Sequence, residues 1–148
     1  MIIDNLAITG ALQISLNNEV VHQCDNLVVT AGKQWVANRF KDTVSGFTQL
    51  GQMTHMAVGS GSTAAAVGNT TLGTELSRLV LTNAGGTVSG ATAQYDATWS
   101  SAIGVLAIEE AGIFNAASGG IMLARTVFAI INKGTDDTVS ISWTITVS

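Results

Sequence analysis

Val139-Ser140-Ile141-Ser142-Trp143-Thr144-Ile145-Thr146-Val147-Ser148 decides how the rest of the chain is read. Apolar residues occupy every odd position and hydroxyl residues every even one. Successive side chains of a strand point to opposite faces, whereas a helix would scatter these five apolar residues around its whole circumference. The stretch is therefore a half-buried strand with a core face of Val, Ile and Trp and an outer face of Ser and Thr. It runs to the last residue, so the C-terminus is expected to be held in a sheet.

Working outward, residues 121–131 form a nearly continuous apolar strand, separated from the last one by a turn at 134–137. A second turn, Asn115-Ala116-Ala117-Ser118-Gly119-Gly120, joins it to the apolar run 103–114, interrupted only by Glu109 and Glu110. Ala93, Tyr95, Ala97 and Trp99 alternate against Gln94, Asp96 and Thr98, and residues 79–108 hold two or three strands in all. Residues 53–58 read as a strand that runs into Gly59-Ser60-Gly61-Ser62. Near the N-terminus, residues 6–16 place Leu12, Ile14 and Leu16 on one face, Asn17-Asn18 makes a hairpin turn, and a second strand covers 20–30. Two helices are expected. Thr30 would cap one over 32–41 with Trp35, Val36 and Phe40 on one side, and Thr70 or Thr71 would cap another over 70–78 with Leu72, Leu76 and Leu79 as its packing face. A polar loop fills 42–52. The reading is one mainly-β domain over residues 1–148, a jelly-roll-like β-sandwich with one or two short helices, in which 1–25 is an N-terminal attachment strand region.

Composition narrows the function classes. At 47% hydrophobic and 11% charged, the chain lies far below the roughly 25% charge usual for soluble domains. A surface of Ser, Thr, Asn and Gly repels other copies poorly, which points to an obligate oligomer or lattice component. The net charge of −4 comes with only six basic residues, too few for a phosphate track, so nucleic acid is not an expected partner. Proline is absent, which removes one means of blunting strand edges. Cys24 stands alone, so no intrachain disulfide is expected and the thiol reads as inert. No basic segment followed by an apolar run marks a signal peptide, and no stretch approaches the ~18 apolar residues of a membrane helix. A soluble product of a cytoplasm, without membrane partners, is the expectation.

Reactive constellations are hard to find. Gly59-Ser60-Gly61 follows a strand, but the crossover context and the acidic residue about 20 positions on that a dinucleotide needs are missing. His22 and His55 fall on separate strands, which argues against a metal site. Glu109 and Glu110 are adjacent in a strand and so cannot share one site. One of them faces inward and is expected to pair with Arg125, which lies across the hairpin. Trp35, Trp99 and Trp143 read as core or subunit anchors. No catalytic residue, cofactor or metal is expected.

Asn26-Leu27-Val28-Val29-Thr30-Ala31-Gly32-Lys33 with Trp35-Val36-Ala37, Met56 to Thr63, Thr71-Leu72-Gly73-Thr74-Glu75-Leu76, Glu109 to Asn115, Leu123 to Phe128 and the final strand Ile141 to Val147 together resemble segments of small bacteriophage virion structural proteins. The resemblance spans roughly residues 26–148. It implies a non-enzymatic head-decoration (cement) protein on the outer surface of the phage head, clamping neighbouring major capsid subunits, with the major capsid protein and itself, as a homotrimer, for partners. The alternative it implies is a tail-fibre or baseplate component contacting tail proteins or host glycans. Leu12 and Ile14 of the first strand, with Gly59, Ser60, Gly61 and Ser62, are the expected contact residues.

Overall fold

Met1, residues 5–40 and residues 50–148 are described by the computed structural model. Within them lie the strands β1 (Ile8–Leu16), β2 (Glu19–Asp25), β3 (Leu27–Val28), β4 (His55–Gly59), β5 (Glu75–Val80), β6 (Thr87–Ser89), β7 (Thr92–Trp99), β8 (Leu106–Phe114), β9 (Met122–Lys133) and β10 (Val139–Val147). One helix, α1 (Thr30–Asn38), follows β3, and a 3₁₀ turn spans Ser101–Ile103. The strands form two five-stranded antiparallel sheets, ordered β2-β1-β10-β7-β6 and β3-β9-β8-β4-β5, and the two pack face to face as a β-sandwich.

The closing stretch lies at the centre of the first sheet. β10 pairs Leu12 with Trp143 and Ile14 with Ile141 on one side, and Tyr95 with Trp143 and Ala97 with Ile141 on the other. Its odd residues from Val139 to Ile145 join Met56, Val58, Ala111, Ile113 and Ala124 of the second sheet in the main core. Each Trp that enters this core keeps a partner for its N–H. Trp99 donates to Ser77 Oγ at 3.0 Å and Trp143 to Asn26 Oδ1 at 2.8 Å, as a buried indole requires.

Three expectations are corrected. The strand expected over 20–30 breaks at Asn26, whose amide N–H donates to the Gly10 carbonyl while β2 stays in the first sheet and β3 enters the second. The helix starts two residues earlier than expected, at Thr30, with Val29 rather than Thr30 at the cap position. Gly32 lies on β9, where any Cβ would collide with the Leu123 carbonyl. The expected end at Lys41, and most of the 42–52 loop, lie outside the described residues. The third correction concerns 70–78, which is not helical. Leu72 is buried, Leu76 is exposed and Leu79 packs on the main core, so the three share no face. From Glu75 the chain instead pairs with β4 as β5, and the backbone just before it is held by a side chain from β8.

Asn17 and Asn18 take φ of 50° and 69°, the left-handed pair a two-residue hairpin demands. Asn17 also ties this turn to the β9–β10 turn, donating to Asp137 Oδ1 at 2.7 Å.

Candidate functional site

The outer face of the second sheet is covered by the chain itself. Residues 60–74 leave β4 and fold back as a strap before entering β5, and they contain no charged residue. Leu72 from the strap packs with Val29, Ala57, Phe114 and Met122 in a second, smaller core. At the N-terminus of α1, Thr30 N–H donates to the Val67 carbonyl at 2.7 Å.

What holds the strap is one buried ion pair. Glu110 is 0% and Arg125 2% exposed, and β8 and β9 set them side by side on the outer face, since Gly112 pairs with Arg125 and Gly59 with Glu110. Arg125 Nη2 and Nε donate to Glu110 Oε2 at 2.8 and 2.9 Å. The same carboxylate accepts the N–H groups of Gly61 (2.8 Å), Gly73 (2.9 Å) and Thr74 (2.8 Å). Arg125 completes the lock by donating to the Thr63 carbonyl at 3.0 Å and to Asn69 Oδ1 at 2.9 Å. A buried charge pair is tolerable only when its remaining hydrogen-bonding positions are filled, and here the strap backbone fills them. Burial alone would raise the Glu110 carboxyl. The N–H groups of Thr74 and Gly73, the Arg125 guanidinium and the Gly61 N–H outweigh it and hold the group below the usual carboxylate range.

The glycines follow from this geometry. A Cβ on Gly59 would collide with the Thr74 carbonyl and stand 2.6 Å from Glu110 Oε1, and one on Gly61 would collide with the same carboxylate oxygen and with Gly73. The Gly-Ser-Gly string is therefore a cradle for a carboxylate supplied by the chain's own β8. Glu109 is the residue at the bulge between Ile108 and Glu110 and is only half-buried.

The expected contact residues divide. Leu12 and Ile14 are each 1% exposed within the main core, and alternation aims them between the sheets. They are corrected to core residues and removed from any outer contact. Gly59 is buried and Gly61 half-buried in the lock, Ser60 is half-buried, and Ser62 is exposed.

Two further cations are also drawn inward. Arg78 stacks on Phe114, 3.7 Å from the ring centroid, and pairs with Glu75 at 2.6 Å. Lys133 is 0% exposed and donates to the carbonyls of Gly104 (2.7 Å) and Gly134 (3.3 Å), pinning the 3₁₀ turn. Neither was legible as a structural group from composition, because nothing local marks an inward-facing Lys or Arg.

His22 lies on β2 against Phe128, with ring centroids 5.4 Å apart, while His55 Nδ1 on β4 is 2.7 Å from Thr54 Oγ1. Among the described residues no group of three His, Cys, Asp or Glu side chains could hold a metal. Burial raises the Cys24 thiol, offset in part by its contact with Thr126 Oγ1 and reinforced by Asp25. No helix among the described residues is long and apolar enough to cross a membrane. Comparison of the chain with family models, curated proteins and solved structures finds no match. What fold and site define is thus a β-sandwich in which Glu110, Arg125, Arg78 and Lys133 serve its own architecture.

Proposed function

We infer that the chain is a non-enzymatic bacteriophage virion structural protein, and specifically a head-decoration subunit that clamps neighbouring major capsid subunits, acting as a homotrimer on the outer surface of the head. The observation that carries this reading is the destination of the ionic side chains. Glu110, Arg125 and Lys133 are buried, and Arg78 is committed to Glu75 and Phe114. A rigid scaffold with a charge-poor exterior results. Such a surface carries little desolvation cost when it is covered, and repeated copies on a lattice add avidity without new contacts.

The alternative is a tail-fibre or baseplate component contacting tail proteins or host-surface glycans, and its glycan-binding form would be served by an exposed aromatic platform. Phe40 is exposed, but all three tryptophans are withdrawn: Trp99 and Trp143 are fully buried, and Trp35 is half-buried with its N–H donating to the Gly51 carbonyl at 2.8 Å. This favours the head over the glycan reading. Co-sedimentation of the purified chain with bare heads, and separately with tails, tests it. Saturable binding to heads at a copy number set by threefold positions is expected, and binding to tails alone refutes the head assignment.

A further inference from the structure

The sandwich has two outer faces, and they are unlike. The strap covers that of the second sheet, while the first carries no such strap among the described residues. On the central strand this free face presents Ser140, Ser142, Thr144 and Thr146, the side opposite the buried Val, Ile and Trp of β10. The flanking strands add more hydroxyls and amides. No strand contributes a Lys or Arg to it, and its carboxylates are Asp96 and, at the edge, Asp25. Lys33 of α1 stands at the rim, where it lines a hollow together with Asp25.

We propose that this face is the surface that seats on the particle, against a flat, neutral-to-basic patch of a different protein, the major shell subunit. The proposal rests on the head-decoration reading above and adds the contact surface to it. Three observations support it. The first is area: four strands about 4.8 Å apart and about eight residues long, at ~3.3 Å per residue, cover roughly 500 Å² in plan. Accessible surface follows the side-chain relief and exceeds that figure, approaching the ~800 Å² one partner contributes to a standard interface.

The second is preorganisation. Thr92 and Thr146 hydroxyls lie 3.3 Å apart, Thr98 and Ser140 hydroxyls 3.1 Å apart, and Gln23 donates to Gln13 Oε1 at 2.9 Å. Short side chains already tied across strands lose little rotamer freedom when covered. Long exposed Lys and Glu side chains, the usual occupants of such a face, would lose far more.

The third is charge. The strands of the face carry carboxylates and no cation, so a second copy offers it no countercharge, whereas a neutral or basic patch meets it favourably. Relief supplies register: over the small Ala11 side chain the face dips into an open trough of 580 Å³, walled by Gln13, Gln23, Ser142 and Thr144. A side chain protruding from the partner fits there.

The test uses heads and tails, each stripped of this chain, and three variants of the full chain. Ser142→Lys and Thr144→Lys place an ammonium at the centre of the face. Ser62→Lys places one on the exposed strap. Ser62 is exposed, and Ser142 and Thr144 are half-buried on the outer side of β10, so melting temperatures equal to wild type are the entry condition, with Thr144→Gln as the uncharged substitute if a Lys variant melts early. The expected result is a loss of at least about tenfold in affinity for heads in the face variants, the effect of roughly 1.4 kcal/mol, with Ser62→Lys unchanged. Face variants that bind heads like wild type overturn the proposal while leaving the head assignment standing. Wild type that binds tails only, with the same loss in the face variants, overturns the head assignment and keeps the surface. Binding to neither particle overturns both.

Discussion

Arg125→Met is the most informative single change. It keeps an apolar side chain of similar length but removes every hydrogen bond the guanidinium makes. Glu110, at 0% exposure, loses two charge-assisted donors, and the Thr63 carbonyl and Asn69 lose theirs. Breaking one side of a buried ion pair costs about 3–5 kcal/mol, because the other charge is stranded. The carboxylate still keeps three backbone N–H donors, so the lower part of that range, about 3–4 kcal/mol, is expected. With an unfolding entropy of about 2.1 cal/mol/K per residue, 148 residues give ~0.3 kcal/mol/K. The melting temperature should therefore fall by roughly 10–13 °C, read by calorimetry at neutral pH. A double-mutant cycle with Glu110→Gln isolates the pair, and a coupling of about 2 kcal/mol or more is expected. A drop under about 3 °C, or coupling below about 0.5 kcal/mol, would show that the strap is held by Leu72 and the backbone alone.

Other predictions follow from the same geometry. Gly61→Ala forces a Cβ onto Glu110 Oε1 and should cost about 1–3 kcal/mol in urea unfolding, whereas Gly68→Ala, with open space around it, should change stability by less than about 0.5 kcal/mol; equal effects would dismiss the cradle. Because the Glu110 carboxyl is depressed in the folded state, its contribution is complete above the unfolded value of about 4.3 and is lost as pH falls through the lower folded value. Asp137, depressed by Asn17 and the Gly134 N–H, acts with the same sign. Wild type should thus lose stability between about pH 5 and pH 3 more steeply than Glu110→Gln, and parallel profiles would contradict the assignment. Cys24, half-buried with its thiol raised, should react with a disulfide reagent at pH 8 at least about tenfold more slowly than after denaturation; equal rates would show the thiol to be open.

The sandwich was legible in the sequence because a strand's period of two depends only on neighbours along the chain. Val139–Val147 and Ala93 to Trp99 announce their buried faces without reference to anything distant. The partnership of an inward glutamate with Arg125 could also be anticipated, since a hairpin turn brings the two strands together and an inward charge calls for an opposite one. Sequence did not determine what Leu12 and Ile14 face, because an apolar strand face suits a core and a subunit contact equally well. Nor could it tell that Leu72, Leu76 and Leu79 belong to a bend and a strand, for their spacing matches a helix until β4 claims the backbone of β5. Which groups receive the Glu110 carboxylate was decided only in three dimensions. Gly61, Gly73 and Thr74 lie 36 to 49 residues away from it in sequence, and a backbone N–H, identical in every residue but proline, leaves no trace in the amino-acid code.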